Sequence, residues 1–197
     1  MHKKLKKYIE TYLNIDSSLL KNNVYELESN GGMMLLLNFG AEFEIINNEK
    51  TELIKPMQTV LLNSYEDSLF LTFPKDADVT VVRFRGAGAS FFFQELLNEV
   101  EQGIFVLNQE TLIIANKQEI TDVNTFLDDY LIKQFKPSTQ PFNIMKIINL
   151  IEEKDGEYDI DEVLASANTP RRIFDKIFRR HVGLSLKPYA MIITNQS

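Results

Sequence analysis

The chain has 197 residues, 44% of them hydrophobic, and a formal net charge of −7; that length and apolar content suit a folded protein with a sizeable core and argue against disorder. No uninterrupted apolar run of about 18 residues occurs, so no membrane-spanning helix is expected, and the basic start MHKKLKKYIETYL lacks the apolar stretch and small-residue cleavage site of a secretory signal. Cysteine is absent, which excludes disulfides and thiol chemistry and fits a cytoplasmic protein.

In chain order, residues 3–20 read as a short helix, because Leu5, Ile9, Tyr12 and Leu13 recur at helical spacing. From Val24 to about Arg85 the runs VYELES, MMLLLNFG, FEIINNE, TELIKPMQTVLLN, DSLFLTF and VTVVRFR are short and rich in β-branched and aromatic residues. The turn-forming clusters NGG, NNEK, NSYED and FPKDAD separate them. Such spacing predicts a small antiparallel sandwich or barrel. After Arg85 the pattern turns helical: SFFFQELLNEVEQGIF follows the Gly86/Gly88 turn. ITDVNTFLDDYLIKQF then carries Val123, Phe126, Leu127, Tyr130 and Leu131 on one stripe. KPSTQP, residues 136–141, is the linker candidate, since Pro137 and Pro141 both discourage helix continuation. FNIMKIINLIEE, DIDEVLASA, PRRIFDKIFRRHV and LKPYAMIIT are the further helical stretches.

The net charge divides unevenly. From Pro170 onward Arg171, Arg172, Lys176, Arg179, Arg180 and Lys187 stand against Asp175 alone, a balance of +5, leaving −12 for the rest. A local basic surface on an acidic body suits a nucleic-acid contact, and a solvated basic helix would show the same composition. Phe174, Ile177, Phe178 and His181 fall at i, i+3, i+4 and i+7 and predict one buried face. Arg172, Asp175, Lys176 and Arg179 fall on the opposite face. Thr169 is the expected N-cap, Pro170 suits the first helical position, and Gly183 is a natural left-handed stop. A short helix, a tight Asn-Thr-Pro turn and a second helix with guanidinium groups on its free face meet the needs of major-groove reading.

At these residues the chain resembles the first recognition helix and following segment of AraC/XylS-family regulators. The matching elements are Arg172, Phe174, Lys176 and Phe178, then Val182-Gly183-Leu184-Ser185, then Lys187 with Tyr189. The match covers about residues 140–197, and the preceding half more loosely resembles the cupin-like sensory domain of some members, best at VVRFRGAGASFFF. The family's capping Ser is Pro170 here, and its small Ala in the preceding helix is Leu164. Members continue into a second helix-turn-helix, whereas this sequence stops at Ser197, so the resemblance implies a unit truncated after the first.

Other constellations point elsewhere only weakly. VTVVRFRGAGAS has the strand–glycine loop–helix order of a phosphate site but not the Gly-Lys-Ser/Thr ending of a P-loop, so a tight structural turn is expected. The acidic run from Glu152 to Glu162 fails the calcium-loop template and reads as a solvated loop with helix-capping aspartates. His2 and His181 are the only histidines; neither a metal-dependent cupin nor a Ser/His/Asp nucleophile can be assembled from them. No metal, no cofactor and no enzymatic activity is expected.

The expected fold is α+β: a small antiparallel β barrel or sandwich with flanking helices over 1–136, serving sensing or dimerisation, then a truncated all-α helix-turn-helix domain over 137–197. The resemblance implies a transcription regulator whose partner is double-stranded DNA, contacted through Arg171, Arg172, Asp175, Lys176, Arg179, Arg180 and Lys187. Arg172, Asp175 and Lys176 would address base edges, with Asp175 either accepting from a cytosine amino group or holding Arg172 or Arg179. A small-molecule or protein effector, or a second copy, would engage the N-terminal domain. The competing reading is a ligand-sensing or protein-interaction module that has lost autonomous DNA binding.

Overall fold

The structure, a computed structural model, describes residues 1–16, 18, 20, 22–47, 51–74, 77–98, 103–107, 120–137 and 140–196. Parts of the expected NNEK and FPKDAD turns, residues 99–102 of the expected SFFFQELLNEVEQGIF helix and residues 138 and 139 of the linker lie outside them.

Nine strands form two antiparallel sheets among the described residues. They are β1 (Ile9–Asp16), β2 (Val24–Leu27), β3 (Met34–Asn38), β4 (Phe43–Ile46), β5 (Thr51–Ile54), β6 (Thr59–Leu62), β7 (Leu69–Thr72), β8 (Asp78–Phe84) and β9 (Ile104–Leu107). One sheet runs β1-β8-β3-β6-β9 and the other β2-β7-β4-β5. This is the β-then-helical, mixed α+β architecture, and the β part is a sandwich of two sheets rather than a closed barrel.

The central strands of the five-stranded sheet, β8, β3 and β6, are covered on both faces, which explains their unbroken apolar runs. Side chains alternate along a strand, so Met34 and Leu36 of β3 enter the core between the sheets with Phe43, Ile45, Val60 and Val81. Leu35 and Leu37 face the other way, into a second core shared with the helices. A sheet buried on both sides shows continuous rather than alternating hydrophobicity.

Five α-helices follow among the described residues: α1 (Val123–Gln134), α2 (Ile144–Glu152), α3 (Ile160–Ala167), α4 (Arg171–Val182) and α5 (Leu186–Gln196). The second core joins Leu35, Leu61, Val82 and Phe84 of the sheet to Ile148, Phe174, Phe178 and Tyr189 of the helices. On α1 the expected stripe buries Leu127 and Leu131 fully, while Val123, Phe126 and Tyr130 are half-buried.

Two expectations are corrected. Residues 3–20 are not a helix: turns occupy 3–8, and β1 pairs along β8 from Ile9 against Phe84 to Asp16 against Asp78. Ile9 and Leu13 are four apart, a spacing compatible with both helix and strand periods, and pairing to a buried strand outweighs local preference. The segment after Gly86 is not a continuous helix either. It forms short 3-10 turns at Gly88–Phe91 and Leu96–Asn98, and Ile104–Leu107 is the edge strand β9 against β6. Phe91, Phe92 and Phe93 are all buried, and three consecutive buried rings do not fit the single stripe of a surface helix.

The Gly86/Gly88 turn is structural, as expected. A β-carbon at Gly88 would lie 2.0 Å from the Tyr8 carbonyl oxygen, and one at Gly86, with φ +40°, 2.8 Å from Ile148.

Candidate nucleic-acid interface

The α3–turn–α4 pair is built by local capping. Asp159 closes the start of α3 by accepting from the Asp161 amide at 2.8 Å, the role expected of an aspartate in the acidic run. Asn168 ends α3 in the left-handed region (φ 46°), a conformation that Asn tolerates better than most residues. At the start of α4 the expected cap is corrected: Thr169 turns back and donates to the Ala167 carbonyl at 2.9 Å. Pro170 occupies the N-cap with no side-chain hydrogen bond, and its carbonyl accepts from Ile173 and Phe174 at 2.9 and 3.0 Å. Pro170 is therefore one position earlier than the first helical turn. Gly183 stops α4 with φ 94°, its amide donating to the Arg179 carbonyl at 2.8 Å.

Helix α4 is sharply two-faced. Phe174, Phe178 and His181 are buried and Ile177 is half-buried. Phe178 stands between Phe174 and Tyr189, with ring centroids 5.6 and 5.8 Å away. His181 is 2% exposed, and neither ring nitrogen has a hydrogen-bond partner among the described residues. Burial, reinforced by the neighbouring Arg180 charge, pushes its pKa down to about 4, so the imidazole is neutral near pH 7 and packs as an apolar ring.

All seven residues proposed from sequence, Arg171, Arg172, Asp175, Lys176, Arg179, Arg180 and Lys187, are exposed. Arg171, Asp175, Lys176 and Arg179 line a cleft with Lys187 at the start of α5. Arg172 and Arg180, also on the exposed side of α4, do not line that cleft. Asp175 pairs with Arg171 one turn back, Nε to Oδ2 at 3.8 Å, rather than with Arg172 or Arg179. Both side chains are more than half exposed, so the pair contributes little stability and leaves both groups available to a ligand.

Several residues of this region gave no sequence signal. Ile173 is 50% exposed between Arg172 and the buried face, and Met191 on α5 is 57% exposed. Glu152 belongs to the acidic run but is not simply solvated. It accepts from the Arg85 guanidinium at 2.5 Å and from the Tyr189 hydroxyl at 3.0 Å, joining α2 to the end of β8 and to α5. Leu164 is half-buried against the shared core. Among the described residues no three His, Cys, Asp or Glu side chains form a metal-binding group, and no helix is long and apolar enough to cross a membrane.

No protein-family model matches the sequence, and no curated protein matches it. Solved structures do. An apo variant of ToxT from Vibrio cholerae strain SCE256 is 13% identical with a TM-score of 0.54, over 93% of this chain and 80% of that one. ToxT from Vibrio cholerae in another crystal form gives 12% identity and a TM-score of 0.47, over 93% and 80%. The AraC-like transcriptional activator CuxR gives 12% and 0.32, over 79% and 66%; these last two add no weight. Over 93% of its length, the chain has the fold of ToxT.

Proposed function

We propose that this chain is a DNA-binding transcription regulator of the AraC type, with a sensory or dimerising N-terminal domain over 1–136 and a helix-turn-helix domain over 137–197. The observation that carries the reading is the outer face of α4. Arg171, Arg172, Lys176, Arg179 and Arg180 are all exposed there, opposite a buried inner face of Phe174, Phe178, Val182 and the neutral His181, on a body that is otherwise acidic. Nothing in the packing of α4 calls for five cations on its free side, whereas a phosphate backbone does.

The roles divide by chemistry. Arg171, Arg179, Arg180 and Lys187 supply phosphate contacts that position the helix without reading sequence. Arg172 and Lys176 donate to guanine edges, and Asp175, steadied by Arg171, accepts from a cytosine amino group. Ile173, half-exposed beside Arg172, offers an apolar surface to a thymine methyl. The unit α3–α4 is one helix-turn-helix, so its contacts alone give modest affinity; a second unit, or a second copy bound through the N-terminal domain, would supply the rest. A small-molecule or protein effector of the N-terminal domain would act by altering that pairing, in the cytoplasm.

Selection of duplexes from a random pool by the chain tests the reading. Enrichment of a short motif that loses definition at one or two positions in Arg172→Ala supports it. A pool left unenriched, with no retention of bulk duplex, favours the competing module that senses or binds protein without DNA.

A further inference from the structure

The C-terminal carbonyls of a helix lack partners within the helix and must find them elsewhere. At the end of α4 one comes from the β domain. The Ser64 hydroxyl, on the loop between β6 and β7, donates to the Val182 carbonyl, and the Gly31 carbonyl lies 3.2 Å from the same oxygen. A hydroxyl carries a single proton, and the Val182 carbonyl is the nearer acceptor.

The loop that carries Ser64 is itself tied down. The Asn63 amide donates to the Gly103 carbonyl at 3.0 Å, and the Asn63 side chain accepts from the Ser64 amide at 3.0 Å. The Tyr65 hydroxyl donates to the Leu27 carbonyl at 3.1 Å. On the helical side the approach depends on Gly183, where a β-carbon would lie 2.2 Å from Asn63 Oδ1. The cap therefore links a rigid part of the sandwich to the last residue of the helix whose outer face is basic.

We propose that Ser64 is a positioning residue for the reading helix, capping α4 from the β domain and fixing the angle at which its basic face is presented. The inference rests on the DNA-reading proposal above and adds its regulation. With the reading face left exposed, the β domain does not occlude DNA; it sets the helix, so a change in the β6–β7 loop reaches the DNA contacts without touching them.

The full chain tests this with Ser64→Ala, and with Ser64→Cys, which keeps the branching with a larger atom and a much weaker donor. Amide hydrogen exchange in the last turn of α4 and at Gly183 should quicken about tenfold in Ser64→Ala and less in Ser64→Cys. The amides of β3, β6 and β8 should keep their rates. Affinity for a mixed-sequence duplex should fall about three- to tenfold while its salt dependence stays that of the unaltered chain, because no cation is removed. Unchanged exchange at the end of α4 overturns the inference, as does acceleration spread equally over the strands. An unaltered chain that binds no duplex overturns the DNA reading instead, and the exchange rates then still decide whether Ser64 caps α4.

Discussion

Gly183 and Asn63 meet so closely that Gly183 has no room for a side chain: a β-carbon there would stand 2.2 Å from Asn63 Oδ1. The glycine thus serves two needs, the left-handed turn that ends α4 and the contact between α4 and the β domain. Gly183→Ala should cost about 2–4 kcal/mol, the sum of backbone strain and displacement of Asn63. Asn63→Gly in the same chain should recover the part due to the clash. Urea unfolding of the four chains measures the coupling, and a value under about 0.5 kcal/mol contradicts the contact.

Phe178 is fully buried between two other rings. Phe178→Ala should destabilise the chain by about 3–5 kcal/mol, through lost burial and the cavity left behind. Thermal or urea unfolding of the full chain checks it, and an unchanged midpoint would mean that the faces of α4 are inverted.

His181 should make stability depend on pH. Its folded pKa is pushed down to about 4 from the ordinary 6.5, so below 6.5 the unfolded chain takes up a proton that the folded chain refuses. Stability from this residue is complete above 6.5 and is lost as pH falls from 6.5 towards 4, by about 3 kcal/mol in all. Carboxylates titrate in the same range, so the difference between the chain and His181→Leu isolates the effect. A difference that does not change between pH 7 and 4.5 contradicts it.

Glu152 ties three elements together through Arg85 and Tyr189. Tyr189→Phe should cost about 1 kcal/mol and leave a carboxylate oxygen without its donor. A double-mutant cycle with Glu152→Gln should show a coupling of about 0.5–1.5 kcal/mol. Additive effects would mean that the two side chains do not interact.

Local order in this chain is readable where one physical demand dominates. The strands from Val24 to Arg85 follow from β-branched and aromatic runs between turn-forming clusters, the apolar face of α4 from helical periodicity, and the Gly183 stop from the few residues that tolerate a left-handed turn. TELIKPMQTVLLN, a single run in the sequence, is divided in the structure by a turn at Pro56 and Met57 into β5 and β6. Legibility fails where two demands compete or the partner is remote. Ile9 and Leu13 satisfy both periods, and only β8 decides between them. Phe91 to Phe93 answer to a core assembled from both halves of the chain. At the candidate site the basic face was legible because exposure follows from helical spacing. The Ser64 cap was not: 118 positions separate it from Val182, and no local pattern encodes such a contact. Asp175, expected to hold Arg172 or Arg179 if not a base, took Arg171, its neighbour one turn back.

The central claim is that the outer face of α4 binds DNA, and salt-dependent duplex affinity tests it most directly. Fluorescence anisotropy of a labelled mixed-sequence duplex with the 197-residue chain should give a dissociation constant on the order of 10⁻⁴–10⁻⁶ M at physiological salt. The logarithmic salt slope should be about −3 to −4, as four phosphate contacts require. Arg171→Ala with Arg179→Ala should make that slope shallower by about two. Absence of binding, or binding whose affinity and slope are untouched by those substitutions, would contradict the claim.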